Sequence, residues 1–146
     1  MIRKLKKSDR DLYINLAKEF YKSEAVDHTI PDKNFEITFD EMMKSNIYAE
    51  GFIFEKESKI AGYGIISKTF SQEAGGLVCL VEEIFIKAEF RNLGLGSEFL
   101  DYLKEKFVNA KRFRLEVTEC NKGAIKLYKR KGFENLPYLQ MIIDRD

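Results

Sequence analysis

Two carboxylates, Glu82 and Glu83, stand side by side in a run that is otherwise apolar, Leu80, Val81, Ile84, Phe85 and Ile86. These are the bulky and β-branched residues of a mostly buried strand. Ionised groups are costly there unless they have partners or work to do. In a regular strand the two side chains point to opposite faces, so only one can serve a given site unless a bulge intervenes. After a short polar turn comes Arg91-Asn92-Leu93-Gly94-Leu95-Gly96-Ser97, opening an amphipathic helix. Unpaired backbone N–H groups gather at such a helix start, and two of its positions lack a Cβ. That geometry cradles phosphate oxygens.

The glycine turn does not fit the common nucleotide fingerprints. A dinucleotide-binding turn needs a third glycine where Phe99 stands, although Glu116 lies near the distance of its ribose-binding acid. A P-loop needs Gly-Lys-Ser/Thr, which is absent. The plain alternative is a strand-to-helix loop that uses glycine only for tight turning.

The elements that must position these residues are legible from periodicity. Ile2 to Lys6 alternates weakly like an edge strand, and Ser8 with Asp11 offers a capping box for a helix from about 9 to 22. Leu12, Leu16 and Phe20 mark its apolar stripe. Pro31 closes the polar segment that follows, and Phe35, Phe39, Met42 and Met43 predict a second helix. Ala49–Phe54 and Ile60–Ile66 flank a charged turn and read as a hairpin, with Gly62 and Gly64 marking close packing or a bulge. Leu95, Phe99, Leu103 and Phe107 share one helix face. Arg112 to Thr118 alternates like a strand, a short helix runs from an Asn121 cap to a Gly132 stop, and Tyr138 to Ile143 reads as a last strand. The expected fold is α/β (mixed α+β): a single domain over 1–146 with a mixed, twisted sheet of about six to seven strands and helices on both faces.

With 25 Lys and Arg against 24 Asp and Glu, no single-sign excess argues for nucleic acid or a membrane surface. Cys79, Cys120 and the lone His28 do not make a zinc pattern, and the cysteines read as reduced thiols. His28 sits in a polar loop and reads as a surface histidine rather than a base. Neither a signal peptide nor a bilayer-spanning segment stands out, so the expected location is cytoplasmic.

From about residue 80 to 133 the chain resembles the GCN5-related N-acetyltransferase (GNAT) family. Arg91, Gly94 and Gly96 match its Arg/Gln-x-x-Gly-x-Gly/Ala motif after a strand. Asn121, Ala124, Tyr128, Gly132 and Phe133 match a second, Asn-x-x-Ala-x-x-x-Tyr followed by Gly-Phe. The resemblance implies acetyl-CoA as co-substrate and no metal. Its pyrophosphate would lie on the N–H groups of Asn92, Leu93, Gly94, Leu95, Gly96 and Ser97, near Arg91, with Lys122 and Lys131 as further cations or simply a solvated face. Its pantetheine arm would run along Ile84, Phe85 and Ile86, where the family's sheet splays and frees backbone groups. Asn121 and Ala124 fall in the coenzyme-binding motif, and Tyr128 would donate a proton to the departing thiolate.

The stretch from Val81 to Leu100 also resembles diamine acetyltransferases, which places an acid at Glu82 to deprotonate the amine through water, with Glu83 structural. Both could instead be ion-paired at a sheet end. Tyr21, Glu24 and Asp27 lie where the family commonly builds its acceptor pocket. The expected activity is acetyl transfer to a small-molecule or protein amine, with neither nucleic acid nor membrane as partner and a homodimer compatible with the family. The alternative is a coenzyme A-binding or regulatory module without turnover.

Overall fold

Apolar residues at helical and strand spacing sort onto the two faces of one sheet. The computed structural model describes residues 1–26 and 28–145. In chain order its elements are β1 (Ile2–Lys4), α1 (Arg10–Tyr21), α2 (Lys33–Lys44), β2 (Ala49–Lys56), β3 (Lys59–Ser71), β4 (Gly76–Ile86), α3 (Leu95–Lys106), β5 (Arg112–Leu115) and α4 (Lys122–Arg130), with 3-10 turns at Lys7–Asp9 and Ala88–Phe90. The strands lie in the order β1-β2-β3-β4-β5. All neighbours are antiparallel except β4 and β5, which are parallel and joined through α3.

One face carries α1 and α2. Tyr13, Leu16 and Ala17 of α1 and Phe35, Phe39 and Met42 of α2 pack on Ile53, Tyr63, Ile65 and Phe85. The other face carries α3, whose Leu95, Phe99, Leu100 and Leu103 pack on Phe52, Phe54, Ile66 and Val81. Side chains of α4 are partly buried in the same cluster. Gly64 is what lets α3 sit so close, since a Cβ there would lie 2.6 Å from the Phe99 ring. Phe99 is fully buried between Phe52 and Phe54, and truncating it to alanine would cost about 3–5 kcal/mol.

Among the described residues the sheet has five strands rather than six or seven. Tyr138–Ile143, expected as a last strand, forms no ladder, and Leu139, Met141, Ile142 and Ile143 are exposed. β propensity alone does not make a strand; a paired neighbour does. That segment's side-chain tie is the Tyr138 hydroxyl, which donates to Glu73 at 2.8 Å. β5 likewise ends at Leu115, short of Thr118. At the start of α1 the expected Ser8 cap is replaced by a 3-10 turn. There the Asp9 carboxylate accepts the Lys6 N–H at 2.8 Å and pairs with Arg3.

Candidate active site

β4 is paired differently along its length. On one side it follows β3 from Gly76 to Ile86. On the other it meets β5 only from Val78 to Val81. Past Val81 that edge has no strand beside it among the described residues. Lys87 donates its N–H to Ala61 on β3, so by strand alternation Ile84 and Ile86 turn their N–H and C=O groups to the open edge. Arg91 reaches back to this edge, its Nε donating to the Ile86 carbonyl at 3.1 Å.

The loop after β4 supplies donors. Asn92 has φ 62° and Gly94 φ 83°, both left-handed, and Gly94 caps α3. Among the described residues no backbone N–H from Asn92 to Ser97 has a hydrogen-bond partner; the first to find one is Glu98, which donates to Gly94 O at 2.9 Å. Of these, the N–H groups of Leu95, Gly96 and Ser97 lie in the first turn of α3 and point along the positive end of its macrodipole. The two glycines have separate reasons. A Cβ at Gly94 would meet nothing within 4 Å, so its backbone angle is the constraint. A Cβ at Gly96 would lie 3.0 Å from Leu127 and 3.8 Å from Ile86. Gly96 thus brings the loop, the open end of β4 and α4 to one point. Leu93 is exposed and Leu95 is buried as the first apolar contact of α3.

Asn121 caps α4, its side-chain oxygen accepting the Ala124 N–H at 3.3 Å. That cap fixes the turn from which Tyr128 projects. Tyr128 packs edge-on to Phe133 at 5.9 Å and joins Ile84 and Ile86 in one apolar cluster. Its hydroxyl has no hydrogen-bond partner within the described residues, and burial pushes its pKa up. A neutral phenol with a free O–H suits proton donation. Lys131 is held by Asp101 at 2.7 Å, whereas Lys122 is exposed.

The carboxylates are rearranged by a bulge. Ile65 pairs with Glu83 and Ile66 with Val81, which leaves Glu82 as the extra residue. Glu82 is exposed and accepts from the Ser67 hydroxyl at 2.6 Å. Glu83 turns to the α1 face, where Oε2 accepts from Tyr21 at 2.7 Å and Oε1 from Tyr63 at 2.6 Å. Burial raises the Glu83 pKa, the two phenol hydrogen bonds pull it down, and the nearby Glu82 charge raises it; burial prevails. Neither carboxylate has a lysine or arginine within salt-bridge distance among the described residues, so the ion-paired alternative for them is not what the fold builds. Tyr63 was missed by sequence reasoning: it reads as an ordinary strand aromatic, and nothing local points it at a residue twenty positions on. Tyr21 also lines an open depression of about 260 Å³ with Lys18, Lys22, Ile30, Asp32 and Phe35. Glu24 and His28 are exposed, and Asp27 lies outside the described residues.

Residues 12–133 match the family model for the acetyltransferase (GNAT) family. This chain belongs to that family. Among curated relatives, thialysine N-epsilon-acetyltransferase of Sus scrofa is 35% identical over 81 residues, which is 54% of this chain and 47% of the relative. The chain thus spans about half the length of the curated relatives it matches. Solved acetyltransferase structures superpose over nearly all of it. The aminoglycoside acetyltransferase AAC(6')-Iy, solved with a CoA-based bisubstrate analog, gives a TM-score of 0.81 at 17% identity, covering 100% of this chain and 98% of its own. A predicted acetyltransferase of Clostridium acetobutylicum, solved with acetyl-CoA, gives 0.79 at 19%, covering 97% and 95%. At these identities the superpositions establish the fold. Among the described residues there is no cluster that could hold a metal ion, and no helix is long and apolar enough to cross a membrane.

Proposed function

We propose that this chain is a single acetyltransferase domain over 1–146, with its coenzyme stretch at about 80–133, and that it transfers an acetyl group from acetyl-CoA to a primary amine by direct attack on the thioester. The observation that carries this reading is the open edge of β4 at Ile84 and Ile86, lying beside a helix start with six unpartnered N–H positions. The edge would bond the pantetheine amides as an added strand does. The N–H groups of Asn92 to Ser97 would take the pyrophosphate, with Arg91 close by. Phe85 anchors the strand in the α1 face from below.

Glu83 takes the proton from the amine and Tyr128 gives one to the departing thiolate. In balance from the protonated amine, a C–N bond forms and the C–S bond breaks; the nitrogen gives up two protons, the first to the Glu83 carboxylate before attack and the second to solvent as the tetrahedral intermediate collapses, while Tyr128 protonates the leaving sulfur and regains its proton from water. An alkylamine of pKa ~10.4 is almost wholly protonated at neutral pH, so the base matters. Burial that lifts Glu83 above the ordinary glutamate range favours it over the more exposed Glu82, the residue singled out from sequence. Glu82, brought to the same face by the bulge, would attract the acceptor's positive charge. The likeness to a thialysine acetyltransferase and the acidic pair both favour a cationic amine of the lysine or diamine class.

The experiment is thiol release from acetyl-CoA with thialysine, lysine, diamines, an aminoglycoside and a lysine peptide. Turnover with a cationic alkylamine is the expected result. Coenzyme binding without turnover on any of them would favour a regulatory module.

A further inference from the structure

We infer that Tyr21 and Tyr63 are positioning residues for the acetyl-transfer base, a clamp that fixes the Glu83 carboxylate in one orientation toward the acceptor amine; this rests on the acetyltransferase reading above. The two phenols come from different elements, α1 and β3, and each takes a different carboxylate oxygen, at 2.7 and 2.6 Å. A carboxylate held at both oxygens cannot rotate, yet keeps a lone pair on each for an incoming proton. The phenols are themselves fixed. The Tyr63 ring meets Tyr13 at 5.5 Å and Phe85 at 6.1 Å. The Tyr21 ring meets Phe20 at 5.4 Å and Phe35 at 5.5 Å. An ordinary ion-paired strand acid would need none of this, and here the structure spends two phenol hydroxyls on one side chain.

The clamp also sets protonation. The titratable groups facing Glu83 are Tyr13 and Tyr21 from α1, Tyr63 from β3 and Glu82 from β4, while α2 contributes the Phe35 ring against Tyr21. Donated hydrogen bonds favour the ionised carboxylate against burial and the Glu82 charge. Removing one therefore raises the Glu83 pKa further and delays the appearance of the working base as pH rises.

The test measures kcat/KM against pH, together with carboxyl carbon-13 titration of Glu83 in glutamate-labelled enzyme, for wild type, Tyr63→Phe, Tyr21→Phe and Tyr13→Phe. Tyr63→Phe and Tyr21→Phe are each expected to move the acidic limb and the carbon titration up by about one pH unit. They should lose about tenfold in kcat/KM below the limb and recover above it. Tyr13→Phe, in the same core but without a bond to Glu83, should leave both curves in place. Folded Tyr63→Phe and Tyr21→Phe that keep the wild-type limb and titration, or lose activity equally at every pH, would overturn the clamp. Should Tyr63→Phe fail to fold, Tyr21→Phe decides by the same criteria. The carbon titration needs no turnover, so it judges the clamp even if every amine fails, which would refute acetyl transfer instead.

Discussion

The two ends of β4 belong to one strand and behave as different materials. From Val78 to Val81 it is paired on both sides and its Val78, Cys79 and Val81 side chains are buried. From Glu82 to Ile86 it keeps β3 but has lost β5, and the bulge at Glu82 has turned its carboxylates onto one face. The first half satisfies its backbone internally. The second leaves backbone groups at Ile84 and Ile86 without a strand partner on one side, beside a half-buried acid, Glu83. The lesson is that a sheet builds a site where pairing stops, because unpaired backbone groups seek partners from outside.

The comparison breaks most readily at the loop that follows the open end. Gly94→Val should weaken coenzyme binding by on the order of a thousandfold, about 4 kcal/mol, measured by calorimetry. The fold should survive, because a Cβ there meets nothing within 4 Å and only the left-handed φ is strained. Wild-type affinity in that variant would remove the loop from the coenzyme site. Next in size is Tyr128→Phe, expected to lower kcat about a hundredfold with coenzyme affinity little changed. If chemistry limits turnover and kcat holds, Tyr128 is only a packing residue.

Glu83→Gln should lower kcat/KM about a hundredfold at pH 7 and regain part of it as pH approaches the amine's pKa. It should also carry a stability signature of fixed sign. A carboxyl with a raised folded pKa contributes stability that is present below its unfolded pKa, ~4.3, and is lost as pH rises through the folded pKa. Thermal melts should therefore show Glu83→Gln gaining on wild type from about pH 4.3 upward, with the gap closing in acid. The opposite slope would mean that Glu83 is held ionised by the fold.

Hydrogen exchange compares the two halves directly. The Ile84 and Ile86 amides should exchange faster than those of Cys79 and Val81 in free protein, and slow by about tenfold when coenzyme binds. Equal protection in both states would mean the open edge takes no ligand. The smallest effect is assigned to Glu82→Gln, about twofold in kcat/KM with a rise in KM, since an exposed charge is screened.

Much of this was legible in the chain itself. The glycine spacing at Gly94 and Gly96, the Asn121 cap and the apolar face of α3 are local signals, set by backbone dihedrals and a 3.6-residue period, and the structure carries each of them. The hairpin of β2 and β3 was equally plain, its turn lying at Glu57 and Ser58 with positive φ. The last expected strand was not built, because Tyr138–Ile143 has the composition of a strand but lacks a paired neighbour.

Sequence by itself determined the glycine turn after β4, the Asn121 cap and the apolar face of α3, since those depend on neighbours within a few positions. Only the tertiary structure decided what Glu82 and Glu83 face. The bulge depends on the register of β3 against β4, and the Tyr21 hydroxyl comes from 62 residues away. Burial, which raises the acid, and hydrogen bonds, which restrain it, are both properties of the assembled sheet and helices, so no reading of the strand alone could apportion them.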